Sequence, residues 1–286
     1  MPGAGILSTA GRGMPTMAEG LSIYDYRPML IFCIVVAAIL GAVLGSFLNC
    51  AAWRIAHGEA FWKGRSHCPA CGHPLNGADL VPVLSWLFLR GRCRYCGEKV
   101  SPRYLVTELL FALVTVLCLL RFDLTVLCLR NWVFLCCLFC LSLVDLEASI
   151  IPDGCHLVSL AAWLISLPFL WSGWRNAGLQ VLAGVVFGAG LLLISLALDR
   201  ILKKESLGGG DIKLFAVVGL YLGFAGTLFS VMLACVIGLC FALLRNRGKH
   251  GGEPFPFGPA IAVSAGIMLL YGEPLIQWYL GFFGSI

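Results

Sequence analysis

Two aspartates and four cysteines are the residues best suited to chemistry in a chain otherwise dominated by apolar side chains. Asp145 lies in LVDLEASIIPDG and Asp211 in LGGGDIKLF, each a carboxylate at the edge of a long hydrophobic stretch. Ionisable groups at membrane depth are costly and by default mark function. Two carboxylates held together beside an apolar wall share a proton. One then serves as general base on water while the other protonates a carbonyl oxygen or leaving amine. Such a pair suits hydrolysis without a metal or a covalent intermediate. The sequence holds neither an HExxH run nor a nucleophile elbow.

Each aspartate also has a plainer reading. Asp211 suits an N-cap at a helix start equally well. That role leaves the preceding Gly208, Gly209 and Gly210 unexplained, since glycines cost backbone entropy and clear the approach to the carboxylate, as for an extended peptide. Asp145 alone fits a helix-end interface residue. Asp153, just before Gly154, fits a turn or cap.

The cysteines divide into two kinds. Ten of the fourteen lie in or beside apolar runs and read as small hydrophobes. The other four form two CxxC pairs, Cys68-Pro-Ala-Cys71 and Cys93-Arg-Tyr-Cys96, separated by 21 residues. Each pair can aim two sulfurs at one point, and together they complete a tetrahedral zinc site with no position left for water or substrate. The zinc is therefore structural, a staple for a loop with little core of its own. Gly72 and Gly97 follow the second cysteine of each pair, where a tight turn requires positive φ. His67 and His73 flank the first pair and read as solvated. A disulfide framework does not suit a loop facing a reducing compartment.

The elements that must position these groups are membrane helices. Of the 286 residues 59% are hydrophobic and 12% charged. About eight stretches approach the ~20 apolar residues a span requires. They lie near Met29–Trp53, Tyr104–Leu120, Leu124–Val144, Cys155–Trp171, Leu179–Leu198, Ile212–Phe224, Leu228–Leu244 and Ala260–Leu280. Fifteen of the twenty Lys and Arg residues fall in Arg54–Arg103, Arg200–Lys213 and Arg245–Lys249, which eight spans place on one side; positive residues stay cytoplasmic. Both chain ends then lie outside, and Asp145 and Asp211 share the cytoplasmic edge. The net charge of +5 follows from this topology and does not indicate nucleic-acid binding. The expected fold is an all-α polytopic membrane protein. It comprises a tail over 1–28, a first helix over 29–53, a cytoplasmic zinc-binding domain over 54–103 and a seven-helix membrane domain over 104–286. The tail lacks the apolar core of a signal peptide, so the first span reads as an uncleaved anchor, with Met14 and Met17 as alternative starts.

Six segments in fixed order carry a resemblance: LGSFLNCAAWR, CPACGHPL, VPVLSWLFLRGRCRYCGEKVSPRYLVTELL, VDLEASIIPD, LGGGDIKLF and PFGPAIA. From about Gly41 to Pro259 the chain resembles the prepilin peptidases, bacterial inner-membrane enzymes that process type IV pilins and type II secretion pseudopilins. The resemblance implies that Asp145 and Asp211 are the catalytic carboxylates, with Gly208 and Gly210 as the glycines of GxGD and Asp153 in support. It implies cleavage after a glycine at the cytoplasmic face. It also implies methylation of the new N-terminal residue from S-adenosylmethionine, since the four-cysteine loop characterises bifunctional members. No glycine-rich cofactor loop locates the S-adenosylmethionine site. Glu59, Glu98 and Glu108 are either acidic contacts for a basic leader or solvated and interfacial residues. The segments IAHGEAFWKGRSH and NGADLVP depart from the family's usual runs.

Other classes fit less well. A transporter would carry its carboxylates on broken helices at the bilayer midplane within an inverted repeat, and no such symmetry is present. A zinc-ribbon scaffold leaves LGGGD unexplained. A presenilin-type protease leaves the cysteine loop unexplained. No obligate protein partner is indicated; membrane lipid and pilin-like substrates are the expected partners.

Overall fold

The structure, a computed structural model, describes residues 22–60, 62, 64–171, 173–203, 207–245 and 256–283. Residues 1–21 of the tail, with the start methionines considered above, and the segment over 246–255 lie outside the described residues. The fold is helical: α1 Arg27–Ala56, α2 Leu84–Phe88, α3 Arg103–Phe122, α4 Val126–Ala148, α5 Asp153–Ser166, α6 Trp174–Leu202, α7 Gly209–Arg245 and α8 Gly258–Phe283.

Six of these, α1, α3, α4, α6, α7 and α8, are long and apolar enough to cross a membrane. The expected eight stretches map onto them with two differences. The fourth corresponds to α5, whose 14 residues span only about 21 Å at 1.5 Å per residue. The sixth and seventh fall within α7, 37 residues long, which Gly223 breaks with φ 66° and ψ −171°. Only glycine takes this conformation without a steric penalty. Residues on the far side of the break return toward the end where α7 began. A Cβ on Gly238 would stand 2.9 Å from the ring of Phe257, at the start of α8, and Ser230 and Ser264 share a 3.0 Å hydrogen bond between α7 and α8.

The core forms where α4 meets α5, α7 and α8. Phe134 of α4 stacks on Tyr221 of α7 with ring centroids 3.9 Å apart, and the Tyr221 hydroxyl donates to the Ser159 carbonyl of α5 at 2.7 Å. Phe134, Leu141, Val144, Leu214, Phe215, Val218 and Ile261 are almost wholly buried there. Glycines admit the closest approaches. A Cβ on Gly219 of α7 would lie 2.6 Å from the Cα of Gly184 on α6, and a Cβ on Gly41 of α1 only 2.7 Å from the Cα of Ala112 on α3. Small residues let membrane helices approach where no hydrophobic driving force separates lipid from protein.

One end of the bundle is organised by polar contacts. Arg103 at the start of α3 pairs with Glu147 near the end of α4, and Asp153 at the start of α5 pairs with Lys213 of α7 at 2.8 Å. At the opposite end Asp123, in the turn between α3 and α4, accepts from Ser22 Oγ at 2.6 Å, and Arg121 pairs with Glu273 of α8 at 2.8 Å.

Candidate active site

Asp145 sits in the last turn of α4, 5% exposed. The helix stops just beyond it: Ser149 adopts the left-handed conformation and its N–H donates to the Asp145 carbonyl at 2.8 Å. The side chain points at the first residue of α8, and the Gly258 N–H donates to Asp145 Oδ2 at 2.8 Å. Because the N-terminus of a helix presents free N–H groups and the positive end of its dipole, this contact favours a carboxylate. Gly258 must lack a side chain, since a Cβ there would lie 2.7 Å from Oδ2.

Asp211 occupies the first turn of α7, which begins three residues earlier than the cap reading supposes. The Gly208 carbonyl accepts from the N–H groups of Asp211 and Ile212, so Gly208 is the cap and Asp211 the third helical residue. From there the carboxylate folds back over the helix start, with Oδ2 3.1 Å from where a Cβ on Gly208 would stand. Oδ1 is buried and accepts no hydrogen bond from the protein. The two carboxylates are close enough for the charge of Asp145 to act on Asp211, although the two residues lie 66 positions apart in sequence.

The three glycines differ in what surrounds them. A Cβ on Gly210 would come 2.8 Å from the Cβ of Ile151, in the segment between α4 and α5, whereas one on Gly209 would meet nothing within 4 Å. None has a positive φ. Gly210 is thus a contact point within the chain that presses the start of α7 against the Ile151–Pro152 segment. The approach to Asp211 is open at Gly209, whereas Gly210 is packed against the chain itself. Asp153 is not part of the buried pair: its carboxylate is exposed and bound to Lys213.

The cysteine loop lies at the same end, between α1 and α3. Each CxxC forms the same knuckle. Cys68 N–H donates to His73 and Cys93 N–H to Glu98, while Gly72 and Gly97 donate back to Cys68 and Cys93 with φ of 68° and 72°. The four sulfurs lie within 4.8 Å of one another, with Cys68 and Cys96 3.9 Å apart. A tetrahedron with Zn–S bonds of 2.3 Å has edges of about 3.8 Å, so the donors fit that ion. The N–H groups of Cys96 and Tyr95 hold the Cys93 thiol down to about 7. The Glu98 backbone N–H draws Cys96 down, but desolvation and the thiols of Cys93, Cys71 and Cys68 push it up to about 12. A dication among them lets all four ionise. His73 is not a free loop residue, because its ring packs on Tyr95, 3.7 Å between centroids, and so joins the two knuckles.

Two residues of this end were given no such role by the sequence reading. Gly258 lies in PFGPAIA, quoted there only as a motif, and its function shows only when α8 meets α4. Glu108, assigned to solvent, the interface or a leader, is 6% exposed and accepts from the Val83 N–H at 2.7 Å. Val83 has φ 63° and ψ −55°, with the Leu84 N–H reaching the Pro82 carbonyl at 2.6 Å. This is the strained hand of γ-turn, rare for a β-branched residue.

Two family models match the chain: Bacterial Peptidase A24 N-terminal domain over residues 39–122 and Type IV leader peptidase family over residues 132–243. Among characterised proteins, the prepilin leader peptidase/N-methyltransferase of Aeromonas salmonicida (strain A449) is 35% identical over 230 residues, covering 76% of this chain and 74% of that protein. The protein of the same name from Bacillus subtilis (strain 168) is 32% identical over 246 residues, covering 85% and 96%. That from Pseudomonas aeruginosa is 30% identical over 283 residues, covering 86% and 93%. No solved structure matches. With both family regions present in order and relatives aligned along most of its length, the chain belongs to the prepilin leader peptidase/N-methyltransferase family.

Proposed function

We propose that this protein is an intramembrane aspartyl endopeptidase. On this reading it removes the leader of type IV prepilins or type II secretion pseudopilins at the cytoplasmic face of the inner membrane. It then N-methylates the new terminus with S-adenosylmethionine as donor. The observation that carries the proposal is that two buried carboxylates from separate helices, Asp145 at the end of α4 and Asp211 at the start of α7, lie at one end of the bundle, where Gly210 packs on Ile151 and Lys213 pairs with Asp153. The relatives' shared name supports the substrate and the second activity.

The two carboxylates divide the work. Asp145, fixed by the Gly258 N–H on Oδ2, is the carboxylate that takes a proton from water. Asp211 Oδ1, buried and without a donor, gives its proton to the scissile carbonyl oxygen as water attacks. When the tetrahedral intermediate collapses, the proton Asp145 took from water goes to the leaving amine and Asp211 recovers its own from the intermediate's hydroxyl, which restores the pair. Ion pairing of Asp153 with Lys213 and packing of Gly210 on Ile151 hold the start of α7 in register with the end of α4.

Cys68, Cys71, Cys93 and Cys96 hold a structural zinc, and residues 54–103 form the domain it staples, followed by the membrane peptidase domain over 104–286. S-adenosylmethionine supplies an electrophilic methyl group when bound. The described cavity in the loop, lined by Arg90, Arg92 and Lys99, does not fit this net cationic molecule, and no methyl-transfer step is assigned to it. On this reading the chain makes eight crossings, counting α5 and the two halves of α7 separately, with the basic loops inside and both termini periplasmic.

Incubating the purified chain with a prepilin in detergent tests the proposal. The mass of the product reports leader loss and, with S-adenosylmethionine present, one added methyl group. Cleavage that survives in Asp145→Asn or Asp211→Asn removes that residue from the mechanism, and an unmethylated product reduces the enzyme to a peptidase.

A further inference from the structure

The short helix α2 presents an apolar stripe that no other described residue covers. Leu84, Leu87 and Phe88 recur at helical spacing and are 51%, 52% and 82% exposed, with Leu80 and Val81 exposed just before them. Beside the stripe is a cavity of about 400 Å³, lined by Trp86, Arg90, Gly91, Arg92, Lys99 and Val100 among others. No carboxylate pairs with its three cations among the described residues.

Glu108 ties the segment before α2 to α3. That residue holds the Val83 N–H at 2.7 Å, immediately before α2. It lies on membrane-spanning α3 five residues beyond Arg103, about 7.5 Å along the axis. A carboxylate inside a span therefore draws the loop down to headgroup level, where exposed leucine and phenylalanine face acyl chains and neighbouring Arg and Lys meet phosphates.

We propose that residues 80–88 are an interfacial anchor embedded in the leaflet from which α1 and α3 emerge, and that the Arg90, Arg92 and Lys99 cavity binds the phosphate of an anionic phospholipid. The charge of the cavity and its position at the membrane edge favour a lipid over a basic leader peptide. The strained Val83 turn is the hinge that tips the stripe toward the bilayer.

The test uses the intact chain. A photoreactive benzoylphenylalanine replaces Phe88 in vesicles of phosphatidylglycerol and phosphatidylcholine, with Leu113, on the outer face of α3, as the lipid-facing control. The expected product at both positions carries the mass of a lipid. Lipid capture at the Leu113 position alone, or capture of only an added prepilin at the Phe88 position, overturns the anchor. In neutral detergent, native mass spectrometry then follows retained phosphatidylglycerol. Arg90→Gln and Lys99→Gln are each expected to weaken retention about fivefold, with phosphatidylcholine unaffected. Unchanged retention in the double variant overturns the phosphate site. Inorganic phosphate binding as tightly as the lipid makes it a free-phosphate site and overturns the lipid assignment.

Discussion

The Gly258 N–H donates to Asp145 Oδ2 at 2.8 Å, and a Cβ on Gly258 would stand 2.7 Å from the same oxygen. The first residue of α8 thus aims a carboxylate carried by α4, and only glycine leaves room for it. Gly258→Ala is expected to swing that carboxylate aside and lower leader cleavage by roughly 10²-fold, the cost of about 1 Å of misplacement at a reacting group. The thermal unfolding temperature in detergent should change little. Cleavage near the parent rate would show that Asp145 needs no such aim.

The three aspartates at this end should separate sharply. Asp145→Asn and Asp211→Asn each remove an acid or base and should cost roughly 10²–10⁴-fold in cleavage rate. Asp153→Asn breaks an ion pair whose side chains are more than half exposed, of a kind contributing about 0–1 kcal/mol. It should retain activity within a few fold. A loss at Asp153 as deep as at Asp145 would place it in the chemistry.

Gly209 and Gly210 are adjacent and should respond differently. Gly210→Ala forces Ile151 away and shifts the start of α7, so cleavage should fall at least tenfold. Gly209→Ala meets open space and should leave the resting protein intact. A rise in KM at unchanged kcat in Gly209→Ala would place substrate backbone over that residue, whereas unchanged kinetics would free it of any substrate role.

Removal of metal should unfold the knuckles without dispersing the aspartates, which are carried by α4 and α7. Cys68→Ser together with Cys71→Ser should release zinc, measured by elemental analysis, and expose residues 66–99 to protease. Zinc retained at full occupancy would refute the four-thiolate site. Structural zinc supplies on the order of 10 kcal/mol in small domains, far more than this loop recovers from its sparse core.

Glu108→Ala should loosen the loop from α3. A buried carboxylate accepting a backbone N–H contributes about 1.5–3 kcal/mol, and Val83 cannot hold its strained turn without it. Faster proteolysis near residues 80–90 is expected, while Asp145 and Asp211 keep their positions. Unchanged proteolysis would show that the turn is held by other contacts.

Much of this protein is legible along the chain. Apolar runs specify helices because the bilayer tolerates no unpaired backbone. Two CxxC pairs specify their own knuckles, since each turn closes within a few residues on a glycine. Carboxylates beside apolar stretches identify themselves by their cost. What the sequence could not supply was decided by contacts between distant helices: Gly258 on Asp145, Ile151 under Gly210 and Glu108 beneath Val83. The break at Gly223 belongs with them, because an isolated glycine in an apolar run has many uses and only the packing of α7 on α8 selects a reversal. Local pattern fixes which atoms are present and the period of the elements carrying them. The distance between two carboxylates 66 residues apart depends on how four helices close on one another, and that is a property of the packed fold alone.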